Sequence, residues 1–271
     1  MVAADYDDYT DFEPEKLPED AKEREAREEL EEFFEKNHDK VFFSRQMEVQ
    51  HEGKYFHWVT NRALRGLREE GVLRSEERKL ATGGSIILSW HRSFRYYRRS
   101  AGQLVRLVEE YADPNIGAAI GLHGESMVLE GFARSQFLML ARDANSFEGR
   151  EWVRSDHNLD FIFQKDGRVY GVEVKNTLGY MDYDELDAKI RICEHLKIKP
   201  VFVVRMAPKT WVEEVRERGG FTLILKYQLY PWSHRDLAKK VARELGLPVD
   251  APRALYDGTM KRFVGWHNKQ L

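Results

Sequence analysis

Apolar positions recur at helical spacing twice in the first third of the chain. Across EREAREELEEFFEKN, inside a stretch running from Ala21 to about Asn37, Leu30, Phe33 and Phe34 fall at the intervals of a helix core face. A second helix is expected from Tyr55 to Glu70, with Trp58, Val59, Ala63, Leu64 and Leu67 as its stripe and Gly71 as its stop. A short strand at Val72–Leu73 follows, then a charged turn, Gly83–Gly84, the strand SIILSW and a helix over AGQLVRLVEEYA. Asp113–Pro114 breaks the composition and marks the expected domain boundary, with the glycine-bearing stretch NIGAAIGLHG after it. From Gly124 to about Ala141 the chain reads as one long helix, ESMVLEGFARSQFLMLA, apolar enough to pack on a sheet. The pattern then shortens. LDFIFQ, RVYGVEVKN, PVFVVRM and FTLILKYQ read as strands, the first two as a hairpin turning at Asp166–Gly167, with helices DYDELDAKIRICEHL and PKTWVEEVRERG between the later ones. Residues 233–245 suggest one more helix, and the remainder to Leu271 has no readable period. This order implies an α/β layer over residues 113–271, preceded by a mainly helical domain over residues 21–112.

Composition narrows the class. A chain of 271 residues with 42% apolar and 33% charged residues, mean hydropathy −0.61, can fill real cores beneath a charged surface. No apolar run approaches the roughly 18 residues needed to span a bilayer. The start of the chain is acidic, unlike a signal peptide, and residues 1–20 read as a disordered tail or linker. The single cysteine, Cys193, sits in a helical apolar pattern and excludes an internal disulfide or a cysteine-rich zinc site. The nine histidines show no zinc spacing. An intracellular, cytoplasmic protein without a membrane partner is expected.

The overall charge of −3 conceals a division. Residues 1–39 hold 16 acidic against 5 basic residues, a net −11, whereas residues 40–106 hold 14 basic against 6 acidic, a net +8. A basic segment of this kind can attract a polyanion locally. Its arginines fall in two groups: Arg62, Arg65 and Arg68, with Asn61, on the second helix, and Arg92, Arg95, Arg98 and Arg99, interleaved with aromatics in HRSFRYYRRS. Solvated helix faces can carry similar charges without touching nucleic acid.

The strongest chemical signal lies in the hairpin LDFIFQKDGRVYGVEVK. Strand side chains alternate, so Glu173 and Lys175 share one face while Val172 and Val174 take the other. Asp160 opens the preceding strand. An acid and a base side by side on an otherwise apolar strand are costly unless paired or used. Taken alone, Glu173 and Lys175 could also form a surface ion pair of little consequence.

An Asp on one strand, twelve intervening residues, then Glu-Val-Lys on the next resembles the PD-(D/E)XK nuclease superfamily, with Leu159 where many members have proline. The resemblance covers about residues 120–230 and includes a glutamate on the preceding helix, here Glu125 with Glu130 in reserve. Archaeal Holliday-junction resolvases and restriction-endonuclease-like proteins share this order of elements. The resemblance implies a mixed sheet flanked by helices and a Mg²⁺-dependent deoxyribonuclease, with Mn²⁺ as a substitute. Asp160, Glu173, the Val174 carbonyl and Glu125 would hold the metal, and Lys175 would orient or deprotonate the attacking water. It also implies a homodimer acting on duplex or branched DNA.

The phrase NRALRGLREEGVLRSEERKL looks like the recognition helix and first wing strand of winged-helix domains, which would place Asn61 and the seven arginines against DNA. Asn158, Asn176, Thr177 and His157 border the motif as substrate-contact or turn residues. Trp211, Trp232 and Trp266 read as core or interface residues in preference to base-stacking ones. Two other readings stay open: a DNA-binding regulator whose nuclease-like core does not cut, and the same chemistry on RNA.

Overall fold

The computed structural model describes residues 21–271, so the expected tail at residues 1–20 lies outside the described residues. They form a mixed α/β structure that divides into two units, one reaching Gly117 and including Lys240–Leu247, the other made of Ala118–Lys239 and Pro248–Leu271. The division therefore falls a few residues beyond Asp113–Pro114, because Pro114 opens a helix and does not begin a linker. Residues 240–247 join the first unit, where the side-chain amides of Gln46 and Gln50 both donate to the Leu245 carbonyl, at 2.9 and 2.7 Å.

In the first unit, α1 (Ala21–Lys36) buries Ala26, Leu30 and Phe34, one residue every four. A short strand β1 (Val41–Phe43) leads into α2 (Ser44–Gln50) and α3 (His57–Glu69). Helix α3 buries Val59, Thr60, Ala63, Leu64 and Leu67. Trp58, expected in that stripe, is 42% exposed: one residue before Val59, it lies about a hundred degrees around the helix from that residue, on the side away from Ala63, Leu64 and Leu67. Gly71 ends the helix as expected, with the Val72 N–H on the Leu67 carbonyl at 3.0 Å. The charged segment expected as a turn is a full strand, β2 (Leu73–Lys79), paired antiparallel with β3 (Ser85–His91) in the sheet β1-β3-β2. Helix α4 (Tyr97–Tyr111) begins early enough to take Arg98 and Arg99 into its first turn.

The second unit is a sandwich. Helix α5 (Pro114–Arg134) takes in the glycine-bearing stretch NIGAAIGLHG, to which the sequence assigned no element, and so starts ten residues before the expected Gly124. It stops before FLMLA, which forms strand β4 (Leu138–Ala144) in place of the expected helix end. Gln136 turns the chain between them at φ 64°. A continuous apolar run has no period with which to separate helix from strand. After the small pair β5 (Ser146–Phe147) and β6 (Arg150–Glu151) come the hairpin β7 (Leu159–Lys165) and β8 (Arg168–Lys175), then α6 (Tyr183–Leu196), β9 (Lys199–Val204), α7 (Lys209–Glu217) and β10 (Phe221–Ile224). Asp166 and Gly167 both have positive φ, 49° and 73°, as a two-residue hairpin turn of this hand requires. The parallel pair β11 (Gln228–Leu229) and β12 (Val249–Asp250) flanks α8 (Arg235–Leu245), and α9 (Asp257–Asn268) closes the described chain.

The five-stranded sheet runs β10-β9-β8-β7-β4, parallel through β8-β9-β10 and antiparallel through β8-β7-β4. One face packs Phe161, Phe163, Tyr170 and Val172 against Met127, Val128 and Phe132 of α5 and Met260 and Phe263 of α9. The other carries Leu159, Ile162, Phe202 and Val204 beneath α6 and α7. The last helix, illegible in the sequence, is held by a chain of polar groups that runs from the core to the exposed Asp166. The Tyr170 hydroxyl meets His267 Nδ1 at 2.6 Å, and His267 Nε2 meets Asp166 Oδ2 at 3.0 Å, which a neutral imidazole protonated at Nε2 satisfies. His267 has no exposed surface. His267→Ala is expected to destabilise this unit by about 3 kcal/mol in chemical denaturation, since it opens a cavity and strands the tyrosine hydroxyl.

Candidate functional site

Strand β8 presents its residues as the alternation requires. Tyr170 and Val172 enter the α5–α9 core, while Glu173 and Lys175 face α6, where each meets a side chain of opposite charge. Lys175 Nζ lies 2.9 and 3.1 Å from the two carboxylate oxygens of Glu185. Glu173 is 5% exposed and its Oε2 accepts from Lys189 Nζ at 2.7 Å. Lys189, equally buried, donates also to the Asn158 carbonyl, tying the approach to β7 to α6.

Asp160 stands at a break in β7. Leu159 packs on the α6 side and Phe161, two residues later, on the opposite side, so strict alternation fails between them. The ladder with β8 is regular from Phe161↔Val172 onward, and just past it the Val174 N–H donates to Asp160 Oδ2 at 2.6 Å. That bond aims the carboxylate at the end of β8 that carries Glu173 and Lys175.

The electrostatics of the two acids are unusual. Burial pushes the Asp160 carboxyl up to about 6, helped by the charges of Glu125 and Asp143 and opposed by the Val174 N–H and Lys189. Burial and then the charge of Asp160 push Glu173 well above the carboxylate range, against the pull of Lys189. Each carboxylate uses one oxygen in the contacts above, and the second has no hydrogen-bond partner among the described residues. Two partly desolvated acids with an oxygen each to spare can accept a hard cation in place of protons.

Other expected ligands are placed differently. Glu125 sends its charge toward Asp160, but its carboxylate holds Arg142 at 2.9 Å, and Arg142 lies over the Phe161 ring. Glu130 pairs with Arg134 along the helix. Val174 donates its N–H to Asp160, a bond that does not engage the carbonyl expected as a metal ligand. Among the described residues no group of three or more His, Cys, Asp or Glu is placed to hold a metal ion, and Glu125 is paired with Arg142 while its charge still acts on Asp160.

The neighbours sort as clearly. Asn176 is 2% exposed and cannot touch a substrate. It donates to the carbonyls of Ile120 and Leu229, accepts from the Leu229 N–H, and sits against Gly124, where any Cβ would come within 2.6 Å of its own. Thr177 closes a turn onto Gly179, and His157 meets Ser155. Cys193 is buried and its thiol pushed up by desolvation, as a core residue and not a nucleophile. Trp211 and Trp266 pack against core clusters, but Trp232 is 46% exposed.

Sequence reasoning missed Lys189 and Glu185, although a signal was present. In DYDELDAKIRICEHL, Lys189 falls in the buried stripe Leu186, Ile190, Cys193, Leu196, and Glu185 lies one turn before it. A lysine inside an apolar stripe implies a buried acid opposite.

In the first unit the expected DNA-facing residues divide. Asn61 bonds Glu48 at 3.1 Å, and Arg68 bonds Ser44 and Ser89 at 2.8 and 3.1 Å, so these two serve the fold. Arg62 reaches Glu23 at 3.3 Å and covers the Trp58 ring. Arg65, Arg92, Arg95, Arg98 and Arg99 are exposed. No helix among the described residues is long and apolar enough to cross a membrane. Comparison of the chain with protein-family models, curated proteins and solved structures found no match.

Proposed function

We propose that the second unit is a divalent-metal-dependent nuclease of the PD-(D/E)XK type that hydrolyses DNA phosphodiester bonds. The observation that carries this reading is the convergence of Asp160 and Glu173 at one end of the β7–β8 hairpin, each with a raised carboxyl and an unused oxygen, and with Lys175 on the face of Glu173. The sheet order and its two helical layers are compatible with a restriction-endonuclease-like core.

Asp160 and Glu173 would hold Mg²⁺, and when bound it supplies charge stabilisation at the phosphate and a more acidic water. Two carboxylates suffice, because this ion keeps several waters and takes substrate oxygens as well. Lys189 fixes one oxygen of Glu173 and leaves the other without a hydrogen-bond partner among the described residues. Lys175 exchanges Glu185 for the scissile phosphate or its attacking water, where a cation offsets charge growing on phosphorus. The first unit, with a hairpin β2–β3 directly after α3, is read as a winged-helix-like module whose five exposed arginines contact phosphates. A homodimer would present two such sites to two strands.

A regulator that binds DNA without cutting draws on a different observation: Lys189 and Glu185 already neutralise Glu173 and Lys175. Cleavage of labelled linear, branched and single-stranded DNA in Mg²⁺, Mn²⁺ or EDTA separates the two. Metal-dependent cutting that disappears in Asp160→Ala and Lys175→Ala, with binding retained, supports the nuclease. Binding without cutting on every substrate moves the regulator to first place.

A further inference from the structure

We infer that Trp232, Arg235 and Arg253 form a clamp for a nucleic-acid phosphate beside the candidate site, an inference that rests on the nucleic-acid reading above and assigns it a second contact in the same unit. Trp232 is a half-exposed indole with two guanidiniums on it: the carbon of Arg235 lies 5.1 Å and that of Arg253 4.6 Å from its ring centroid. Arg253 has no ion pair among the described residues, and Arg235 has only its chain neighbour Asp236, at 3.7 Å from Nε. Two like charges held against one ring repel each other, and an oxyanion bonded to both forks removes that repulsion. Contact with the indole face restrains each guanidinium and leaves N–H groups for a bidentate partner.

The surroundings match a strand of nucleic acid better than a lone anion. Lys226 lies over Tyr227 at 5.1 Å, and Tyr227 packs against the 40% exposed Tyr256 at 5.8 Å, three residues along the chain from Arg253, a second pairing of a cation with aromatic rings. Asp250 is occupied by the Tyr256 hydroxyl and the Ala251 N–H.

The position of the patch ties it to the chemistry. Leu229 is bonded through its N–H and its carbonyl to the side chain of Asn176, the residue after Lys175, at 2.8 Å each. Gln228 donates to the Asn176 carbonyl at 3.2 Å. Trp232 follows Leu229 by three residues, so its Cα lies at most about 11 Å from that of Leu229. One strand can lie on the clamp and reach Lys175 a few phosphates away.

Binding of fluorescein-labelled duplex and single-stranded DNA to the full chain in EDTA, by anisotropy across a salt series, tests this apart from cleavage. Arg235→Ala/Arg253→Ala is expected to weaken binding about tenfold or more. The slope of log K against log salt should become shallower by about 0.9 on duplex, the loss of one neutralised phosphate. Arg235→Lys/Arg253→Lys should retain the slope. Both arginines are solvent-facing, and an unchanged melting temperature will show that the double variant folds. Wild-type affinity and slope in the alanine variant would overturn the clamp, as would equal weakening toward heparin, which marks a generic polyanion surface. Should the clamp variant fail to bind while the wild type binds but never cuts, the clamp stands and the nuclease reading falls. Should the wild type cut and the clamp variant bind normally, the reverse holds.

Discussion

Asp160→Asn is expected to abolish metal-dependent cleavage and, at the same time, to raise the melting temperature of the second unit. Asparagine is nearly isosteric and keeps an oxygen for the Val174 N–H, but it loses the charge that a divalent ion needs. The activity loss should be about 10³-fold or more, comparable to removing a group that stabilises transition-state charge. The stability gain follows from the raised carboxyl. A group that titrates near 6 when folded and 3.8 in its ordinary state binds protons more tightly in the folded chain. Stability therefore falls as pH rises through that window, and above it the full penalty remains. The asparagine variant is free of it, a gain of about 1–2 kcal/mol at pH 7.5 after allowance for residual solvent screening. Thermal melts of both proteins between pH 4 and pH 8, without metal, should diverge as pH rises. Parallel curves would show that Asp160 is not desolvated, and undiminished cutting would remove it from the site.

The largest loss of stability is expected from Lys189→Met. Lys189 and Glu173 are each almost fully buried, and the lysine also satisfies the Asn158 carbonyl. Methionine fills similar volume but removes the cation that offsets burial at Glu173. The acid must then stay charged without a partner or take up a proton, for which about 3–5 kcal/mol is the usual upper magnitude. Adding Glu173→Gln should recover most of it, because the uncompensated charge is then gone. Denaturant titration of the single and double variants measures the coupling directly. A single variant within about 1 kcal/mol of wild type would show that the pair does not hold this part of the fold. In thermal melts the single variant should respond to added Mg²⁺ with a gain in melting temperature that the double variant lacks, since a divalent ion can replace the missing cation only where the acid remains.

Much of this architecture is visible in the order of residues. The shared face of Glu173 and Lys175 follows from the period of a strand, which is set by backbone geometry and holds wherever the strand forms. The hairpin turn at Asp166–Gly167, the stop at Gly71 and the buried face of α3 are equally local consequences of φ, ψ and spacing. Strand β4 and helix α9 were not legible, the first because an apolar run has no period, the second because its anchor, His267 on Tyr170 and Asp166, bridges residues about a hundred positions apart.

By itself the sequence determined an α/β layer, a hairpin with an acid and a base on one face, and an acidic partner at the start of the preceding strand. Tertiary structure alone decided what those charges meet. Asp160 turns toward the others because alternation breaks beside it and a backbone N–H captures its carboxylate. Glu125 is drawn to Arg142, Lys175 to Glu185 and Glu173 to Lys189, pairings between elements that no local pattern specifies. The reason is physical: periodicity fixes the direction of a side chain, whereas its ionisation and its partner depend on how much water the packing removes and which charge the packing brings near.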